Sequence, residues 1–342
     1  MDDYLGLLAR EAECYRGMTV SSVYIGGGTP TALSVAQLRT LWQTVVGQFT
    51  IAPGAEVTLE ANPGTLTPEL LALLGELPLT RVSLGAQSFH PHELALLGRI
   101  HGATEVDAAV TAVRTLGLQL NIDLMYALPG QSVAEWAENL RHALALQPDH
   151  ISLYSLTLEP GTPLAAQVLA GELPAPTEDT EQEMYALTSE MLAEAGMALY
   201  EVSNAARPGY HSRHNLGYWL GRDYLGLGTA AVSTVSGVRR RNEADTARYI
   251  ARMGDYGTAS VYAERLSANA RLLERVMLGL RLRDGFSLAD AESECGVALS
   301  NETLQQLADA GMLERDGGNI RLSARGFPLA NDVVARLMLA GD

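Results

Sequence analysis

Over the first half of the chain, short apolar runs alternate with stretches in which apolar residues recur every three or four positions. The runs near 20–25 (VSSVYI), 56–61 (EVTLEA), 81–86 (RVSLGA), 119–125 (QLNIDLM) and 149–156 (DHISLYSL) read as strands. The stretches near 35–49, 67–76, 103–117 and 132–147 carry the helical period. This alternation predicts parallel βα units, in a doubly wound sheet or a (β/α) barrel, with ligands at the C-terminal strand ends. Those ends are polar or glycine-rich in turn: Gly26-Gly27-Gly28-Thr29-Pro30, Glu60-Ala61-Asn62-Pro63, Gly85-Ala86-Gln87-Ser88, Asp123 with Pro129-Gly130, and Thr157 with Glu159-Pro160-Gly161. A polar site repeated at every strand end looks like a barrel mouth.

The pattern changes along the second half. Residues 1–17 already form an acidic amphipathic helix, and Pro174-Ala175-Pro176 breaks the chain before a long helix at 178–195. Leu199-Tyr200-Glu201-Val202 adds a further strand. From about 268 come three helices, two short strands joined by Asp316-Gly317-Gly318-Asn319, and a last helix to about 340. Three helices and a hairpin make a winged-helix-like α+β pattern. The expected division is a barrel core over 1–175, barrel completion and linker over 176–262, and the winged-helix-like domain over 263–342.

Composition narrows the chemistry. The 342 residues are 47% hydrophobic and 19% charged, as in an ordinary globular protein. No apolar stretch approaches the roughly 18–20 residues that span a bilayer, and the N-terminus lacks a basic n-region, so a cytoplasmic protein is expected. Net charge is −16 and all 24 basic residues are Arg. Without Lys there is no Schiff base to pyridoxal phosphate and no Walker-type phosphate loop. The acidity argues against nucleic-acid binding, and residues 268–342 hold eight Arg against eleven Asp and Glu, against the DNA reading that winged helices invite. The cysteines are Cys14 and Cys295, with no ligand spacing; a disulfide and a Cys-based zinc site are not expected, and both read as lone buried thiols.

The glycine triplet after the first strand leaves backbone bare enough for a ligand to lie against it, Pro30 fixes the exit and Ser34 can cap the next helix. It is not GxGxxG, and alone it reads equally as a tight βα turn. Glu60 and Asp123 are acids inside apolar runs, suited either to pairing or to a ligand.

Taken with Ser83-Leu84-Gly85-Ala86-Gln87-Ser88-Phe89, Leu97-Gly98-Arg99-Ile100-His101 and Asn121-Ile122-Asp123-Leu124 through Leu128-Pro129-Gly130, these motifs form an ordered set over nearly the whole chain. The set resembles the radical S-adenosylmethionine (SAM) family of oxygen-independent coproporphyrinogen oxidases, most closely the HemW branch of haem chaperones. The resemblance implies an α/β fold: a partial (β/α)6 TIM-like barrel lacking its first strand, with SAM at its mouth. The Gly27-Gly28-Thr29 backbone would meet the amino end of SAM and Glu60 the ribose hydroxyls. Gln87, Arg99 and Asp123 match positions lining that site or touching a second SAM, and Thr157 and Val232 match positions that pack on the cofactor.

Tyr200-Glu201-Val202-Ser203-Asn204-Ala205-Ala206-Arg207-Pro208-Gly209 and His214-Asn215-Leu216-Gly217-Tyr218-Trp219 extend the resemblance. His214 would face haem iron, with Asn215, Tyr218 and Trp219 completing the haem site; the other reading is a His–Asn turn with both rings in core packing. The family's His after the Asp223-Tyr224-Leu225-Gly226-Leu227-Gly228 turn is replaced by Thr229-Ala230-Ala231-Val232-Ser233.

The family also implies a [4Fe–4S] cluster on a CxxxCxxC loop preceding the first helix. This chain opens directly into that helix, Cys14 cannot stand in for three thiolates, and no catalytic residue is assigned. A truncated start is expected over a genuine loss, and the chain as written is expected to lack radical activity. The function implied is a HemW-like haem chaperone that binds haem and SAM and delivers haem to acceptor proteins. The alternatives are an oxygen-independent coproporphyrinogen III oxidase and a non-catalytic binding module. No nucleic acid or transmembrane segment enters this reading, and homodimerisation is compatible with it.

Overall fold

The computed structural model describes residues 1–339; residues 340–342, at the end of the expected C-terminal domain, lie outside the described residues. Seven strands form the main sheet: β1 (Thr19–Ile25), β2 (Thr50–Ala61), β3 (Arg81–Gln87), β4 (Gln119–Tyr126), β5 (His150–Ser155), β6 (Ala198–Leu199) and β7 (Asn204–Ala206). Their order is β1-β2-β3-β4-β5-β7-β6, and the sheet curls into a half-barrel. Strands β2 through β5 run parallel, whereas β7 is antiparallel to both β5 and β6. The expected strand at 199–202 is therefore corrected to two short reversing strands, because Glu201 to Ser203 form the bend between them.

Register explains how the sequence makes two unlike faces. Glu60, Ser83, Asn121 and His150 lie side by side across β2–β5, and Gly85, Asp123 and Ser152 lie side by side one pleat further on. With a side-chain period of two, that whole set shares one face. The intervening residues, Ala61, Val82, Leu84, Ile122, Leu124, Ile151 and Leu153, are buried on the other. They pack with the apolar stripes of Ala103–Thr115 and Val133–Ala145. Burying one such side chain is worth about 1.5–3 kcal/mol. The crossover helices start where the sequence supplies caps: Ser34 Oγ accepts from Gln37 N–H at 3.3 Å, and Ser132 and Glu135 form a capping box. Trp136, fully buried, donates from Nε1 to Thr188 Oγ1 at 2.8 Å, tying that helix to Glu178–Glu194.

The chain divides into two compact units, one of residues 21–39 and 52–212 and the other of 1–20, 40–51 and 213–342. In the second unit, the helix Asp2–Glu13 contributes a buried carboxylate, Glu11. It accepts from Gly228 N–H (2.9 Å), Asn242 Nδ2 (2.6 Å) and the Tyr249 hydroxyl (2.8 Å). A three-stranded antiparallel sheet follows, formed by β8 (Val232–Val235), β9 (Val238–Asn242) and β10 (Ser260–Arg265). The order Ala268–Gly279, β11 (Phe286–Ser287), Leu288–Cys295, Asn301–Asp309, β12 (Leu313–Asp316), β13 (Asn319–Leu322) is that of a winged helix. Cys295 is buried as expected, but Cys14 is exposed, because the helix ends one residue before it. Among the described residues no helix is long and apolar enough to cross a membrane.

Candidate functional site

The polar face of the half-barrel opens at the C-terminal ends of β1–β5. At the end of β1, the Glu60 carboxylate lies across the glycine turn: Gly27 N–H donates to Oε2 at 3.1 Å and the Tyr24 hydroxyl to Oε1 at 2.8 Å. A Cβ on Gly26 would sit 2.6 Å from Glu60 Cδ and Oε1, so this position needs the missing side chain. Gly27 has φ +84°, and Cβ atoms on Gly27 or Gly28 would meet nothing within 4 Å. Their backbone faces open space, and Gly26 to Thr29 are all exposed. Tyr24 was not anticipated from the sequence. Its place one pleat beyond Ser22, across β1 from Val23 and Ile25, was the available signal. Burial, then the Glu60 charge, hold its phenol far above the usual range.

Asp123 anchors the next part of the site. Its Oδ2 accepts from Ser83 Oγ at 2.9 Å and its Oδ1 from Asn121 Nδ2 at 2.7 Å. Asn121 Oδ1 meets His150 Nδ1 at 2.6 Å, and His150 Nε2 meets the Tyr200 hydroxyl at 2.8 Å. Burial, with Arg81 and His211 nearby, pushes the His150 pKa well down, so the imidazole is neutral. Asn121 spends its amide N–H groups on Asp123, Ser83 and Ser152, so Nδ1–H of His150 donates and Nε2 accepts from Tyr200. The result is a directed chain of hydrogen bonds ending on the Asp123 carboxylate. Desolvation raises the Asp123 pKa to about 6 against the opposing hydrogen bonds from Ser83, Ser152 and Asn121, and the Glu60 charge adds to the rise. Tyr154, on the same face of β5, is raised to about 12 by burial and then by Asp123.

Gln87 ends β3 at φ +67°, where the pairing with β4 skips Ala86. This bulge re-aims the strand end, and His101 Nε2 pins it by bonding Ala86 O at 3.2 Å. Arg99 is half-buried in the segment leading to His101, its N–H bonded to Leu94 O at 2.8 Å. Thr157 is exposed just past β5. The first unit thus carries Gly27, Gly28, Thr29, Glu60, Gln87 and Thr157 at or just beyond strand ends, Asp123 within β4 and Arg99 past the helix Pro91–Leu96, while Val232 belongs to the other unit, half-buried in β8.

The expected haem residues lie on the short helix Arg213–Trp219, none of which is buried. Tyr218 is exposed and Trp219 half-buried. His214 meets the Tyr218 ring edge-on at 4.9 Å, and Tyr218 meets Tyr224 in the same manner at 4.8 Å. Asn215 and Trp219 are half-exposed on the same helix.

Donor chemistry tests which groups fit. An exposed glycine backbone beside two carboxylates suits a ligand with an amino group, a diol and a sulfonium charge, which describes SAM. Three thiolates for an iron–sulfur cluster are another matter: the cysteines of this sequence are an exposed Cys14 and a buried Cys295, and that pair does not make the set.

A half-barrel with a polar lumen, a glycine–glutamate mouth and a winged-helix partner defines a radical SAM-type architecture. The Radical SAM superfamily model matches residues 5–143, and the HemN C-terminal domain model matches residues 266–329. The heme chaperone HemW of Mycobacterium tuberculosis is 40% identical over 321 residues, 94% of this chain and 81% of that protein. Its counterpart from Lactococcus lactis is 33% identical over 343 residues, 99% of this chain and 90% of its own. The structure of coproporphyrinogen III oxidase (HemN) from Escherichia coli superposes with a TM-score of 0.84 at 24% identity, over 98% of this chain and 82% of that one, and establishes the fold alone. The chain belongs to the HemW family of the radical SAM superfamily.

Proposed function

We propose that this chain is a haem chaperone of the HemW type, working in the cytoplasm, which binds haem and SAM and hands haem to acceptor proteins. The observation that carries the reading is the helix Arg213–Trp219, none of whose residues, imidazole and rings included, is buried. An iron ligand and stacking partners need that accessibility. Identity to proteins named heme chaperone HemW, running the length of the chain, supports it.

In this reading His214 would supply a nitrogen ligand to haem iron, and Asn215, Tyr218 and Trp219 would complete the haem site. The Gly27, Gly28 and Thr29 backbone holds the amino end of SAM, and Glu60 accepts from the ribose diol. Gln87, Arg99, Asp123 and Thr157 line the remainder. SAM bound there would supply a sulfonium group whose reductive cleavage takes an electron from a cluster these cysteines do not ligate, so no radical step is assigned to this chain. The division into a barrel core (1–175), a completing segment (176–262) and a winged-helix-like domain (263–342) goes with the same proposal.

The test is transfer. Haem-loaded chain mixed with a haem-free acceptor should lose its Soret band as that of the acceptor grows, faster than from free haem adsorbed to a control protein. Retention of haem on the chain, with no acceptor spectrum, overturns the reading.

A further inference from the structure

A further cluster lies outside the residues assigned above to SAM and haem. The sequence His90-Pro91-His92-Glu93 opens the short helix Pro91–Leu96, and Glu135 and Glu138 lie on the neighbouring helix Val133–Ala145. His92, Glu93 and Glu135 each present one donor atom within 4.8 Å of the others. The separation of His92 Nε2 from Glu135 Oε1 is 3.3 Å. Two donors bound tetrahedrally to zinc at about 2.05 Å each stand about 3.3 Å apart, so this pair already has the spacing of ligands on one ion.

The surroundings hold the carboxylates in place, as outer partners do in metal sites. Glu135 Oε2 accepts from Ser132 N–H at 2.8 Å and Ser132 Oγ at 2.7 Å, which fixes the group and turns Oε1 toward His92. Glu93, 2% exposed, is anchored through Oε2 by Ser88 and Asn139. Its Oε1 takes one hydrogen bond, from Gln131 Nε2 at 2.9 Å, and keeps a lone pair. His90 flanks the cluster, with Nε2 3.2 Å from Glu135 O and 3.6 Å from Glu138 Oε2. The His92 side chain is 64% exposed, so an ion can enter from solvent.

We propose that His92, Glu135 and Glu93 form a binding site for a divalent transition metal, zinc by its imidazole–carboxylate donor set, with water in the remaining position. The ion would clamp the segment after β3, which carries Arg99, to the helix Val133–Ala145. This inference is independent of haem and of SAM.

Equilibrium dialysis of the full, tag-free chain against zinc chloride at neutral pH tests it, with total metal as the readout. The wild type and Cys14→Ser should each hold one equivalent more than His92→Ala and Glu135→Gln; the Gln variant keeps the capping acceptor, so the helix start survives. Cobalt in place of zinc should give weak visible bands without a thiolate charge-transfer band. Equal metal content in wild type and His92→Ala, no metal in the wild type, or a thiolate band would each overturn the proposal.

Discussion

Asp123→Asn, in the ligand-free chain, isolates the cost of keeping a charge in the half-barrel. The carboxyl is lifted from 3.8 to about 6, chiefly by desolvation. At about 1.4 kcal/mol per pKa unit, its ionised form is therefore disfavoured in the folded state by about 3 kcal/mol. The folded protein holds this proton more tightly than the unfolded chain does. The group's contribution is thus most favourable below about pH 4 and is lost as pH rises through about 6. Asn is uncharged throughout, so any offset from rearranged bonds to Ser83 and Asn121 is independent of pH and drops out. Urea unfolding of both proteins at intervals from pH 4 to 8 should show the stability difference moving toward the variant by up to about 3 kcal/mol, mostly before neutrality. A difference that stays flat, or moves toward the wild type as pH rises, refutes the claim that Asp123 is a strained charge.

Other perturbations probe separate parts of the molecule. Glu60→Gln keeps an acceptor for Gly27 N–H but loses the charge, and should weaken SAM binding about tenfold to a hundredfold by calorimetry with little change in thermal midpoint. Glu11→Ala leaves Gly228, Asn242 and Tyr249 without their shared acceptor, and urea unfolding should show a loss of about 3–5 kcal/mol. Gly285→Ala places a Cβ 2.0 Å from Ile320 O at φ +68°, and should cost at least about 2 kcal/mol, visible as an earlier melting transition.

The parallel core was legible because β2–β5 each alternate a polar residue with an aliphatic one, and register then puts Glu60, Ser83, Asn121 and Asp123 on one face. The sheet of β8–β10 was not legible. Its central strand, Val238-Arg239-Arg240-Arg241-Asn242, has no apolar alternation to mark it, and Arg239 is satisfied instead by Glu274 at 2.6 and 2.8 Å. Strands β6 and β7 are too short to show any period, and β7 takes its direction from pairing with β5. Within the site, the acids and glycines were visible as residue types out of place in apolar runs. Tyr24 and His150 were hidden, since an aromatic or a lone His in a strand reads as core until register places it beside a carboxylate or an amide. The bulge at Gln87 depends on pairing between β3 and β4, which a linear pattern does not display.

The account rests on haem reaching His214, and an absorption titration tests that directly. Adding haem to the wild-type chain should give a shifted Soret band that saturates at one haem per chain, and His214→Ala should lose or markedly displace it while keeping the far-ultraviolet dichroism of the folded protein. An unchanged Soret titration in His214→Ala, or no band in the wild type, contradicts the account.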